Sequence, residues 1–318
     1  VAYAIREALL TYIDEALLGH DFYFMYDGVG PEDTVGALLL QHIIQQQAIH
    51  SNMELALRTQ WQDALTYGIG VCTVKWSKKY GQRSRWRPTG YTNFFGKQVQ
   101  TGVEQYTNTE LLWEGNELDN IDPYLFLPDP SVPVHKVQNS EFVGWMSLED
   151  RLDLLTREES GSEGLVNCGY LKWSYGRSSL ENNVSGRDAR TGVSIYNQID
   201  QNRMVKNTTW VMYMYVNLIP KEWGLGESEF PEKWMFALAN DVLIIRAQPL
   251  GLDHNMFPVA VCSPDFDGYS ISPVSKTELM LPVQKYISWL YNTHMLNQRK
   301  TVNNTYIDRK STRLNSSH

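Results

Sequence analysis

The sequence has little cysteine, no excess of positive charge, no long apolar run and none of the common catalytic signatures. Three cysteines in 318 residues (Cys72, Cys168 and Cys262) stand far apart without a CxxC pair. That argues against a disulfide scaffold or a zinc site and for buried thiols in a reducing compartment. Lys and Arg number 28 against 36 Asp and Glu, a net charge of −8. Tight nucleic-acid binding draws on a basic excess that is missing here. The longest apolar runs, Val35–Leu40 (interrupted by Gly36) and Trp210–Val216, fall well short of the ~18 residues a membrane span needs. No basic segment followed by an apolar one opens the chain, so a secretory signal is not expected and the chain reads as soluble. There is no GxxxxGK[ST] loop, no GxGxxG after a strand, no GxSxG elbow and no HExxH pair. An enzyme would have to place its site in residues that no motif singles out.

What is present describes a globular chain of one large or two modest domains: 42% apolar and 20% charged residues exclude disorder and collagen-like repeats. Aromatics reach 12%, with 10 Trp and 18 Tyr, a content shared by stacking surfaces, β-rich packing and subunit interfaces. Apolar positions at intervals of three and four predict helices over 3–18, 32–50 and 52–67. Gly19 follows the first, Glu32 and Asp33 open the second, and Gly68-Ile69-Gly70 stops the third.

The pattern then turns to β. Strands are expected at Val71–Ser77, Glu117–Leu127, Glu141–Met146, Trp210–Ile219 and Pro258–Cys262. Lys233–Ala239 and Val242–Gln248 flank Asn240-Asp241, a hairpin signal. Ser147–Asp150 is expected to open a short helix with Ser147 as its N-cap. Residues 159–207, rich in Gly, Ser and Asn, read as a surface excursion with few buried contacts. Ser275-Lys-Thr-Glu278 is a capping box at the head of a long helix, with Pro282 expected to kink it or mark a restart. The expected class is α+β: a helical start, a β-rich domain and a long C-terminal helix. The tail Arg309–His318 has no period and is expected to be foreign to the gene, the chain itself a fragment open at both ends.

Candidate sites are few. His42 and His50 lie two turns apart on one helix, too far to share a metal without other ligands. Asp265 and Asp267 lack the remaining ligands of a calcium loop. Asp119 and Asp122 could form an acid/base pair, but acidic turn residues before Pro123 explain them equally. Lys75, Lys78, Lys79, Arg83, Arg85 and Arg87, interleaved with Trp76, Tyr80 and Trp86, have the chemistry of a nucleic-acid patch. A solvated hairpin with outward charges explains them too, and the net charge favours the hairpin.

Several stretches in order resemble the portal (head–tail connector) proteins of tailed bacteriophages, nearest the podovirus-like group. They are Leu65–Trp76 (helix, glycine turn, strand ending in Lys-Trp), Asn120–Pro130 with Glu141–Trp145 and Ser147–Leu152, the strand pair ending in Leu218–Trp223, and Ser272–Arg299. The last, with Glu278, Pro282, Gln284, Trp289, Asn292 and Asn297, is similar to the family's first stem helix. The resemblance covers about residues 1–308 and rests on the order of segments. It implies a wing-like domain over 1–270, a stem-like helix over 271–302 and the start of a clip at 303–308. It also implies a ring, usually of twelve subunits, at a capsid vertex: virion-located, assembled in the host cytoplasm, passing double-stranded DNA. The implied partners are terminase, scaffold or capsid protein and a tail adaptor; no membrane, enzyme activity or cofactor is implied. A carbohydrate-binding or carbohydrate-active tail protein, or another capsid or adaptor protein, is the alternative. Paired carboxylates ~5–9.5 Å apart in an aromatic-lined cleft would favour the carbohydrate reading.

On that stem-like helix, about 100° per residue puts Leu279, Val283, Tyr286, Ile287, Leu290, His294 and Asn297 on one face. Trp289 and Leu296 lie a quarter-turn or more away and are expected at a subunit interface. Lys285, Ser288, Asn292 and Arg299 form a polar strip expected to face the channel. A simple amphipathic helix on the wing, with Trp289 half exposed, is the competing expectation.

Overall fold

The structure, a computed structural model of the chain, describes residues 2–20, 23–92, 98–161, 163–173, 208–265 and 267–303. Among these, helices and antiparallel sheets combine in an α+β arrangement closed by a long helix. Three helices come first: α1 (Ala2–Leu18), α2 (Thr34–His50) and α3 (Met53–Tyr67). Leu10 of α1 is buried against Trp61 and Leu65 of α3, which fastens the first helix to the third. Gly68 ends α3 with φ of 91°, a conformation open to glycine at little cost, and its missing Cβ lets the carbonyl of Pro273 approach.

The strands form two sheets. One has the order β2–β1–β8, from β1 (Gly70–Thr92), β2 (Gln98–Ile121) and β8 (Val259–Cys262). The other has the order β3–β4–β5–β6–β7, from β3 (Phe126–Pro128), β4 (Phe142–Asp150), β5 (Thr208–Leu218), β6 (Glu232–Ala239) and β7 (Leu243–Pro249). In β5 the inward set is Val211, Tyr213 and Tyr215, the period-two burial of a strand with one face on the core. These residues join Val143, Leu154, Ala237, Ile245 and the base of the first sheet (Val71, Ile121, Val259) in one apolar cluster. Fully burying a Leu or Ile side chain of this kind contributes about 1.5–3 kcal/mol each.

Local signals hold where the chemistry is specific. Asn240 and Asp241 both take positive φ (50° and 61°) between β6 and β7, as an Asn-Asp hairpin turn requires. A short helix, α5 (Pro220–Trp223), follows β5. Ser275 Oγ accepts from the Glu278 amide at 3.0 Å, capping the last helix, α6 (Lys276–Asn303). That helix runs through Pro282 as one element.

Three expectations are corrected. Ser147–Asp150 does not open a helix: it continues β4, paired to Thr208–Val211, and the cap of α4 (Arg151–Ser160) is Asp150, which accepts from the Leu152 amide at 3.1 Å. Cross-strand pairing with β5 outweighs the local capping preference of Ser147. The strand expected at Glu117–Leu127 breaks at Asp122, whose carboxylate accepts from the Tyr124 amide in a turn. The start of the 159–207 excursion is not loosely attached, since Leu165, Cys168 and Leu171 are in the core. Its polar composition conceals three inward anchors. Residues 174–207 and the tail 304–318 lie outside the described residues.

Candidate functional site

Two elements leave the body of the molecule. One is α6, about 42 Å long at 1.5 Å per residue. Its first turns are tied down: Thr277 Oγ1 donates to the Leu65 carbonyl at 3.2 Å, Lys276 pairs with Asp265, and the Ala2 amide donates to Gln284 Oε1 at 3.2 Å. Met280 and Gln284 are partly covered on this side. The face holding Leu279, Val283, Tyr286, Ile287 and Leu290 therefore turns away from the body, and all five are exposed. Trp289 (59%) and Leu296 (56%) are bare as well, and Tyr286 and Trp289 stack with ring centroids 6.1 Å apart.

Lys285, Ser288, Asn292 and Arg299 are all exposed. At about 100° per residue they lie within a 60° strip. From Lys285 onward, Trp289 and Leu296 border that strip on one side, and Tyr291 and Met295, both exposed, border it on the other. Trp289 is about half exposed, as both the interface and the simple amphipathic helix expect. Between Leu279 and Leu296 the helix carries exposed apolar side chains around most of its circumference, and Lys285, Ser288, Asn292 and Arg299 follow one line along it.

The second element is the ribbon of β1 and β2, paired from Val71↔Ile121 to Thr92↔Gln98. All six residues of the basic stretch are on β1. Strand alternation and the register place Lys75, Lys79, Arg83, Arg85 and Arg87 on one face and Lys78 on the other with Trp76, Tyr80 and Trp86. Four of the six cations meet carboxylates of β2: Lys75 pairs with Asp119 and Glu117, Lys78 with Glu114 (3.7 Å), Lys79 with Glu117 (2.9 Å) and Arg85 with Glu110 (2.7 Å). Burial would raise the Glu117 carboxyl; bonds from Lys79 and Ser77 and the charges of both lysines outweigh it and hold it below the usual range. Burial would lower the Lys75 ammonium, but Asp119, Glu117 and Glu163 raise it above its ordinary value. Much of the charge that a phosphate backbone would read is thus already met within the ribbon.

The remaining candidates are ordinary structure. Asp119 serves Lys75 and Asp122 a turn. Asp265 pairs with Lys276, while Asp267 accepts from the Tyr269 amide. His42 and His50 line one groove beside Leu39, Ile43 and Trp113, and no group of three metal-ligating side chains occurs among the described residues. A groove at Pro231, Glu232, Lys233 and Leu252 holds a single carboxylate and lacks the paired acids of a glycosidase. Cys72 and Cys168 are buried and Cys262 is partly covered, all as free thiols; burial pushes Cys72 up to about 11.

A partly buried polar network that no motif announces joins Arg157, Glu149, Glu163 and Tyr213. Arg157 Nη1 donates to Glu149 at 2.7 Å and Nη2 to Glu163 at 2.5 Å, while the Tyr213 hydroxyl donates to Glu149 at 2.6 Å. Burial and the Glu149 charge push the Tyr213 hydroxyl well above its usual range. The network ties α4 and the 163–173 segment to β4 and β5. No spacing rule brings these four residues together, because Tyr213 is fifty residues on from Glu163 and joins the other three only through the pairing of β5 with β4. Also missed was the outward face of α2, where Val35, Leu38, Leu39, Ile43 and Ile49 are exposed.

No protein-family model matches the chain, and no curated protein matches it.

Proposed function

We propose that this chain is the wing and first stem helix of a ring-forming channel protein of the phage portal type, a structural protein of the capsid vertex through which DNA passes. The observation that carries the reading is α6. Ten large apolar side chains of one helix, Leu279 to Leu296, are exposed around it. A solitary helix in water has no use for more than one apolar stripe. A helix standing between two like neighbours needs apolar flanks, and in a channel it keeps one polar line for the lumen. Trp289 and Leu296 on one side, and Tyr291 and Met295 on the other, supply the flanks. Lys285, Ser288, Asn292 and Arg299 supply the line.

The charge balance supports the same reading. A channel for sliding DNA must not grip it as a repressor does. Two cations along an otherwise polar line, in a chain of net charge −8, give weak and exchangeable phosphate contacts. Terminase, capsid and tail proteins are the partners such a vertex requires.

The test is the mass of the full-length protein in solution. The wild type and Asn292→Ala should form a large closed oligomer, while Trp289→Ala should shift it to subunits at the same concentration with unchanged circular dichroism. A monomeric wild type, or a Trp289→Ala variant that assembles like the wild type, would refute the proposal.

A further inference from the structure

The ribbon carries a charge arrangement that a projecting arm does not need. Strand β1 holds Lys75, Lys78, Lys79, Arg83, Arg85 and Arg87 and no carboxylate. Strand β2 holds Glu104, Glu110, Glu114, Glu117 and Asp119 and no cation. Arg83, Arg87 and Glu104 make no ion pair among the described residues. Among the described residues the outer edge of β2 pairs with no strand, although Gln47 Oε1 of α2 accepts from the Asn116 amide at its base. That of β1 pairs with none beyond Val74, because β8 covers only Gly70–Thr73 and Pro258 bonds the Val74 amide. The arm past that point is about 60 Å long at ~3.3 Å per residue. A two-stranded ribbon of that length with two bare edges is marginal in isolation and a template for further pairing.

The charges decide which pairing is open to it. Two β1 edges repel, and so do two β2 edges, which opposes a two-fold symmetric contact. A β1 edge against a β2 edge attracts, which is a head-to-tail contact. We propose that the β1 edge of one copy pairs antiparallel with the β2 edge of the next copy, so that neighbouring ribbons form one continuous sheet. Copies in the same orientation give the strand order β2–β1–β2–β1, which keeps adjacent strands antiparallel. Arg83, which faces the uncharged Asn108 in its own ribbon, then finds a partner across the junction; Arg87 and Glu104 already stand opposite each other. Pro88 has no amide hydrogen to donate, so the pairing zone ends near Arg87. Closure of this row into a ring, rather than the pairing itself, rests on the function proposed above.

Two charge-reversed forms of the full-length protein test it. Arg83→Glu/Arg87→Glu reverses the β1 edge and Glu104→Arg/Glu114→Arg the β2 edge. Each also opposes like charges inside its own ribbon, at Arg87 and Glu104 or at Lys78 and Glu114, equally whether alone or mixed, so recovery on mixing reports the junction. Each alone should lose assembly, and an equimolar mixture should regain it, since alternating copies match at every junction. In assembled wild type, amides of Val74–Arg87 and Glu104–Glu117 should exchange at least about tenfold more slowly than in dissociated subunits. Each variant assembling alone, or a mixture that stays dissociated although both forms keep wild-type circular dichroism, would overturn the pairing. So would a full-mass assembly whose ribbon edges stay unprotected, and that result would leave the ring reading standing. Protected edges in an open row of indefinite length would instead uphold the pairing and reject the closed ring.

Discussion

The five-stranded sheet and the two projecting elements use similar residues in opposite surroundings. Val143, Leu154, Val211 and Ile245 are at 0% exposure, enclosed by both sheets and α4. Leu279, Val283, Trp289 and Leu296 stand bare along α6, and Trp76 and Trp86 along the ribbon. The sheet buries its apolar face within one chain, whereas the helix and the ribbon leave much of theirs exposed. Composition alone does not separate the two cases. What separates them is which residues find a partner inside the chain.

The largest expected effect breaks that comparison directly. Leu154→Ala should cost about 3–5 kcal/mol in denaturant unfolding, because it removes transfer energy and leaves a cavity. Leu290→Ala, the same chemical change on α6, should cost the isolated subunit less than about 0.5 kcal/mol. Similar costs at the two positions would mean that α6 is packed within its own chain.

Next in size is the polar network under the sheet. Arg157→Met leaves Glu149 and Glu163 facing each other in a mostly covered site, at an expected cost of about 2–3 kcal/mol. The smaller Tyr213→Phe change removes one hydrogen bond and should cost about 1 kcal/mol. If Arg157→Met proved neutral, the 163–173 segment would be held by Leu165, Cys168 and Leu171 alone.

The smallest effect concerns the ribbon and depends on pH. The Glu117 carboxyl is depressed, so its contribution is present above the ordinary glutamate range and lost as pH falls through the folded value. The Lys75 ammonium is raised, so its contribution is complete below the ordinary lysine range and lost as pH rises through its folded value. Solvent screening keeps each below about 1 kcal/mol. Amide protection at Lys75–Lys79, relative to the intrinsic exchange rate at each pH, should fall in acid and again at high pH, with protection in β5 less affected. An unchanged ribbon in acid would show that its backbone ladder stands without these pairs.

How much of this was legible in the sequence depended on whether the signal was local. The Asn240-Asp241 turn needs two positive-φ residues, the Ser275 cap needs a hydroxyl three residues before Glu278, and both are visible in a short window. Helices α1 to α3 followed from their periods. Ser147 misled because a cap residue in a strand is overridden by pairing sixty residues away. Most of β2 went unread because Gln98–Asn116 mixes polar residues with exposed apolar ones such as Val103, Tyr106, Leu111 and Leu112, and a ribbon without a buried side shows no alternation of apolar and polar. For the same reason the segregation of cations onto β1 and carboxylates onto β2 emerged only from the register. The polar strip of α6 was readable from the helical wheel. The outward turn of its apolar face was not, because that depends on how Thr277 and Gln284 dock on α3 and α1.

The most direct test of the central claim, that α6 is completed by neighbouring copies around a channel, is a side-chain-resolution reconstruction of the full-length assembly. The expected result is a closed ring with Lys285, Ser288, Asn292 and Arg299 on the lumen and Trp289 and Leu296 against the adjacent subunit. Lys285 and Arg299 turned into the wing, or Trp289 remote from every neighbour, would contradict it.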